Sequence, residues 1–372
     1  MQFIDLKAQF AQIEPKVRSR IDRVLAHGHF ILGPEVAEFE ALLADYCQVP
    51  HAIGCANGTD ALVLALRALD IGPGDAVVTT PFSFFATVEA IMLVGARPLF
   101  ADIDPATFNI DPDKLAERIA THDEARQGRL RAVITVDLFG LPADYETIEP
   151  ICRNHGLALI EDAAQGFGGS INERRAGSFG TIATTSFFPA KPLGCYGDGG
   201  ALFTSDEGLA ERLRSLRVHG KGQDKYDNVE VGYNSRLDTL QAAILIEKLA
   251  AFPAELEARQ QVARRYSEAL DGIVQVPRVP AGMTSSWAQY SVLAGDVGHR
   301  DRLMGALTRA GIPSAVYYAK PLHLQPALAR FGHRVGEYPV AEDVSSRIFS
   351  LPMGPYLSDG DQDCVVAAIR SA

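Results

Sequence analysis

The spacing of apolar and polar positions divides the chain into a helical lead, a long βα series and a shorter mixed tail. Ala11–Leu25 and Glu35–Tyr46 carry apolar residues at helical spacing, and a break at His27–Pro34 holding Gly28, Gly33 and Pro34 separates them. A short strand follows and leads into Asn57-Gly58-Thr59-Asp60, which opens a predicted helix at Ala61–Leu69. Further strands are predicted at Ala76–Thr80, Pro98–Ile103, Ala132–Asp137, Leu157–Ile160, Ile182–Phe188 and Ala201–Thr204. Helices are predicted between and after them at Ser83–Val94, Leu115–Ala120, Tyr145–His155 and Glu207–Leu216. The strands are continuous apolar runs, as in a parallel sheet covered on both faces. This alternation implies a doubly wound α/β domain whose ligands sit at the carboxyl ends of its strands.

Past this series the pattern changes. Val218–Arg236 is polar, Gly-rich and aperiodic, which is long for an idle loop in a compact domain and suggests a functional one. Leu237–Leu249 and Ala254–Leu270 read as apolar and long helices that lead to a second unit. There, strands at Tyr290–Leu293 and Ser314–Tyr317 mix with helices at Arg300–Ala310 and Ala341–Arg347. The expected organisation is a large α/β domain with its helical lead over residues 1–250 and a small α+β domain over 251–372.

Composition narrows the class. The 372 residues are 47% hydrophobic and 22% charged, which suits a globular protein. A net charge of −11 argues against nucleic acid as a main partner, although a local basic pocket can still receive an anionic substrate. The five Cys form no CxxC and no pattern with His, so reduced thiols are expected and no metal centre. No run reaches the roughly 18 apolar residues of a membrane span. The first 15 residues carry early charges and lack the apolar core of a signal peptide, so a cytoplasmic location is expected.

Candidate chemistry gathers at strand ends. Asp162 closes the run Leu157–Ile160, and Lys191 follows 29 positions later in a Pro- and Gly-flanked turn after Ile182–Phe188. An Asp and a Lys at neighbouring strand ends suit pyridoxal 5′-phosphate chemistry: the Lys forms a Schiff base and the Asp holds the pyridinium proton. Asn57-Gly58-Thr59-Asp60 opens a helix, a place where free N–H groups and the helix dipole favour a phosphate; the alternative is that Thr59 or Asp60 is a plain cap. Phe84, in the Phe-rich turn after Ala76–Thr80, is either an aromatic face for a flat ring or ordinary core.

Assembled, these residues resemble the DegT/DnrJ/EryC1/StrS sugar aminotransferases. The matching blocks are ILGPEVAEFE (31–40), CANGTDAL (55–62), IEDAAQ (160–165), SFFPAKPLGCYGDGGA (186–201), RVHG (217–220), GYNSRLDTLQAAIL (232–245) and SLPM (350–353). The resemblance implies fold type I of the pyridoxal phosphate transferases, with a mostly parallel seven-stranded sheet. It implies Lys191 as Schiff-base lysine and proton carrier, Asp162 on the pyridine nitrogen and Gln165 on the ring 3-hydroxyl. Phe84 would stack on the ring, Gly58, Thr59 and Ser186 would bind the phosphate, and Asn234 would reach it from the other subunit of a homodimer. Relatives that act as dehydratases carry a His in place of the Lys, so Lys191 implies transamination.

The wording KPLGCYGDGGA resembles members that aminate C3 of a nucleotide-linked keto sugar, closest to those acting on a UDP-2-acetamido-3-keto-uronate for bacterial surface polysaccharide such as lipopolysaccharide O-antigen. L-Glutamate is the implied donor. Arg236 would meet the uronate carboxylate, and Tyr317 and Tyr318 stand where the family has a His-Tyr pair near the sugar. His323 matches a position near the pocket, as does His219. The alternatives are a C4 aminotransferase on a 4-keto-6-deoxy sugar nucleotide, against which the wording after Lys191 speaks, and a non-catalytic regulator. The chain shows neither a helix-turn-helix module nor a basic patch for the latter. A dehydratase or lyase is opposed by Lys191.

Overall fold

A computed structural model describes residues 1–224 and 226–372. The first nine strands are, in chain order, β1 (His51–Cys55), β2 (Asp75–Thr79), β3 (Arg97–Phe100), β4 (Arg129–Val136), β5 (Ala158–Asp162), β6 (Ser170–Ile171), β7 (Arg174–Arg175), β8 (Ile182–Ser186) and β9 (Gly200–Thr204). Seven of them form the main sheet in the order β1-β9-β8-β5-β4-β2-β3. From β3 to β8 every pairing is parallel, while β9 runs antiparallel to both β8 and β1. Thr79, Val136, Asp162 and Ser186 therefore end their strands on one edge. Two apolar cores cover the sheet: Leu62, Leu66, Ile91 and Leu213 lie in one, Leu115, Tyr145, Ile148 and Phe179 in another.

The tail pairs β11 (Tyr290–Leu293) with β12 (Ile348–Leu351) after the short β10 (Met283–Thr284), which returns to pair with β6. The helices Val297–Arg309 and Asp359–Arg370 cover this strand pair through Leu303, Leu307, Val365 and Ile369.

Two expectations change here. The predicted pair Leu237–Leu249 and Ala254–Leu270 is one helix, Thr239–Leu270, with Pro253 inside it. An interior Pro costs a helix about 3 kcal/mol. Packing outweighs that here, because Leu245, Leu249 and Phe252 lie in a core with Phe39 and Phe203, while Val262, Tyr266 and Leu270 lie in the core of the tail. The helix thus crosses residue 250 without a break. The predicted strand Ser314–Tyr317 reduces to one bridge, Ala315 to Ser350. The chain turns at Tyr317 and Tyr318, which ends the pairing.

The lead forms helices Leu6–His27 and Pro34–Cys47. Gly28, at φ 73, ends the first and Pro34 starts the second. No helix among the described residues is long and apolar enough to cross a membrane.

Candidate active site

At the carboxyl end of β1, Asn57 caps the helix Gly58–Ala68: its Oδ1 accepts from the Asp60 N–H at 2.8 Å. Capping falls to Asn57 rather than to Thr59 or Asp60. The Gly58 and Thr59 N–H groups keep no partner among the described residues. Gly58 faces Ser186 so closely that a Cβ would lie 2.6 Å from the Ser186 Cβ. Helix N-terminus, glycine and hydroxyl thus make a cradle that suits a phosphate.

Asp162, at the end of β5, is buried. Its Oδ2 accepts from Thr87 Oγ1 at 2.8 Å and its Oδ1 from the Ala164 N–H at 3.2 Å. Burial pushes its pKa up, against the pull of Thr87, Ala164 and the Lys191 ammonium. Lys191 shows the mirror effect: burial lowers it, and Asp162 opposes. A cation placed at Asp162 would favour its ionised form. Thr87 escaped sequence reading because it sits in an apolar helix, Phe85–Leu93, where a Thr reads as filler.

Phe84 precedes that helix, which starts two residues later than expected. Its ring is 55% exposed, so it is a free aromatic face rather than core, and it lies 6.4 Å from the Tyr318 ring. Gln165 is buried. Its Oε1 accepts from the Phe139 N–H at 2.9 Å, and its Nε2 donates to the Tyr318 hydroxyl at 3.2 Å, leaving one N–H for a ligand.

A cavity of about 600 Å³, open solvent included, reaches Lys191. Residues 1–6 and 353–357 line it. The Met353 N–H donates to the Phe3 carbonyl at 3.2 Å, and the Phe3 ring meets Tyr317 at 6.3 Å.

Other expected residues lie elsewhere. Asn234 is exposed and Arg236 half-buried, and Arg236 has no hydrogen bond or ion pair among the described residues. His219 is exposed, at φ 60. His323 is not brought to the cavity. It is buried beside Phe100, His333 and Tyr338, its Nε2 is 3.1 Å from Glu342 Oε1, and burial lowers its pKa. Its turn is tied down by the Leu322 N–H on the Pro81 carbonyl at 2.7 Å.

Behind the site lies a carboxyl pair that the sequence did not single out. Asp137 Oδ1 accepts from the Ala143 N–H at 3.0 Å and the Tyr145 hydroxyl at 2.8 Å, while Glu161 accepts from the Gly177 and Phe179 N–H groups. Burial pushes Asp137 up to about 7 and raises Glu161 well above the carboxylate range. The folded chain thus binds this proton more tightly than the unfolded one. The resulting stabilisation is complete below about pH 4 and is lost as pH rises through about 7. D137N keeps the Oδ1 acceptor, so wild type will lose on the order of 3 kcal/mol relative to D137N between about pH 4 and pH 8. Thermal melts across that range check this, and parallel curves would refute it.

The described residues fit pyridoxal phosphate: a phosphate cradle, an exposed aromatic face, a buried carboxylate and a lysine of lowered basicity stand on one sheet edge. The fold and this site define a pyridoxal phosphate-dependent aminotransferase of fold type I. The chain belongs to the DegT/DnrJ/EryC1/StrS aminotransferase family, which it matches over residues 11–370. It is 44% identical over 372 residues to the UDP-2-acetamido-2-deoxy-3-oxo-D-glucuronate aminotransferase of Pseudomonas aeruginosa, covering 100% of both chains. A DegT DnrJ EryC1 StrS aminotransferase from Brucella abortus superimposes with a TM-score of 0.96 at 52% identity, covering 100% of this chain and 99% of that one. NtdA from Bacillus subtilis, solved with bound pyridoxamine phosphate, gives a TM-score of 0.89 at 29% identity, covering 99% and 82%.

Proposed function

We propose that this aminotransferase aminates C3 of a nucleotide-linked keto sugar, a UDP-2-acetamido-3-keto-uronate, with L-glutamate as donor, in the cytoplasm and for surface polysaccharide. The full-length 44% identity to an enzyme named for such a substrate carries the reading. The active unit is a homodimer in which Asn234 and Arg236 serve the neighbouring site. Exposed Phe30, Ile31 and Leu32 support this, since Ile31 bridges to Asp238 beside those two residues. The domain divide falls near residue 250, inside the shared helix.

Pyridoxal phosphate, when bound, supplies the electron sink that stabilises charge at the reacting carbon. The chain supplies the rest. Gly58, Thr59 and Ser186 hold the phosphate, Phe84 covers a ring face, and Gln165 Nε2 donates to the ring hydroxyl. Asp162 Oδ atoms hold the ring-nitrogen proton. Lys191 Nζ takes a proton from the donor carbon in one half-reaction and delivers one to the sugar carbon in the other. Glutamate gives up its amine, takes its keto oxygen from water and leaves as 2-oxoglutarate; the sugar ketone accepts that amine with loss of water.

The test is a two-step absorbance titration. L-Glutamate will bleach the visible band of the cofactor-loaded protein, and after donor removal only a 3-keto uronate will restore it. Restoration by 4-keto sugars alone would overturn the C3 assignment. R236A will cut keto-uronate turnover about 10²-fold, the cost of stripping a charged partner from a buried contact. Turnover of a neutral keto sugar will change little, and equal losses would refute the carboxylate role.

A further inference from the structure

We propose that Arg259 and Gln9, on the wall of the Lys191 cavity, form a carboxylate-binding subsite built within one chain and separate from Arg236. The inference rests on the aminotransferase reading, in which both the donor and the sugar carry a carboxylate.

Arg259 lies in the helix Thr239–Leu270 and is 3% exposed. Its Nη1 donates to the Trp287 carbonyl at 2.9 Å, but among the described residues its Nε has no partner and no carboxylate forms an ion pair with it, although Glu255 lies near enough for its charge to act on it. Gln9, on the first helix, is 6% exposed, and its Oε1 has no partner either. Both residues line the cavity that reaches Lys191. A guanidinium offers five N–H donors, and buried donors left unmade are rare because each costs free energy.

The nearest candidate partner inside the chain is already engaged. Glu255, one turn before Arg259, accepts from Gln9 Nε2 at 2.9 Å on both oxygens and from the Tyr356 hydroxyl at 2.7 Å. Glu255 thereby fixes the Gln9 amide with its Nε2 inward, which leaves Oε1 without a partner. A guanidinium with N–H groups to spare and an unpaired acceptor on one cavity wall complement a carboxylate flanked by a hydrogen-bond donor. An α-amino acid and a sugar uronate with a neighbouring hydroxyl both have that form.

The other charges on the cavity do not cancel this. Asp5 caps the first helix through the Ala8 N–H at 2.9 Å, and Asp361 accepts from Ser358 Oγ at 2.8 Å in the first turn of the last helix. Both sit at helix N-termini, where the dipole offsets a negative charge. Lys191 adds a cation. Burial lowers Arg259 to about 10, so it stays charged at neutral pH.

The experiment uses the cofactor-loaded protein and calorimetric binding of 2-oxoglutarate, UDP-glucuronate and, as a neutral control, UDP-glucose. In R259Q the affinity for one carboxylate ligand will fall about 10- to 100-fold while UDP-glucose affinity stays within twofold. Loss confined to 2-oxoglutarate assigns the subsite to the donor, loss confined to UDP-glucuronate assigns it to the sugar, and loss of both makes it common to the two half-reactions. If R259Q fails to fold or to load cofactor, R259K serves, keeping the charge without the fork; its loss will be smaller and again confined to carboxylates. Unchanged affinities in a folded variant would overturn the subsite. Wild-type protein that binds none of the three would instead overturn the aminotransferase substrate reading beneath it.

Discussion

Replacing Lys191 with Ala will lower transamination about 10⁴-fold, the upper range of positioned acid–base catalysis. The reason lies in what surrounds the amine. Burial lowers the Lys191 pKa while Asp162 opposes, so the amine is less basic than an exposed lysine. Among the described residues, Lys248 is buried but lies against the Tyr196 ring at 4.8 Å, off the cavity wall, so it does not take the place of this amine. The phosphate cradle at Gly58, Thr59 and Ser186 is untouched, so the variant will still load cofactor, but without the absorbance of the lysine-bound form. A small primary amine added to the buffer will restore part of the turnover. Turnover within tenfold of wild type would sink the assignment.

The parts of this site that were legible in the sequence are those carried by strand ends. An apolar run that stops at Asp162, and another that stops before Lys191, announce both residues and the edge they share. The direction of β9 was not legible, because Ala201–Thr204 reads the same whichever way it runs. Nor was the unbroken helix through Pro253, since local propensity ends a helix there and only packing into two cores carries it on. Thr87 acts through a hydrogen bond to Asp162, far away in sequence, and nothing in its own neighbourhood marks it. Gln9 and Glu255 meet across 246 positions for the same reason. His323 shows the converse: a family position near the pocket, but here a ring buried against Glu342.

Replacing Asp162 with Asn will slow both half-reactions about 10²- to 10³-fold, the usual loss when one preorganised electrostatic contact is removed. The substitution isolates charge from shape. Asn Oδ1 can still accept from the Ala164 N–H, and its amide can face Thr87 Oγ1, which has Ser83 Oγ at 3.3 Å as another partner. The variant will therefore fold and load cofactor. What it lacks is a full negative charge to hold the ring-nitrogen proton, so the electron sink is weakened in both directions alike. A second effect follows from the coupling between the two residues. Asp162 raises the Lys191 pKa, so its neutralisation will move the titration of Lys191 to lower pH. The pH dependence of the cofactor's visible absorbance reads that shift directly. A rate loss without the shift would mean that Asp162 acts on the cofactor alone. A shift without the rate loss would mean that it serves only as the counter-ion of Lys191, and its place on the ring nitrogen would have to be given up.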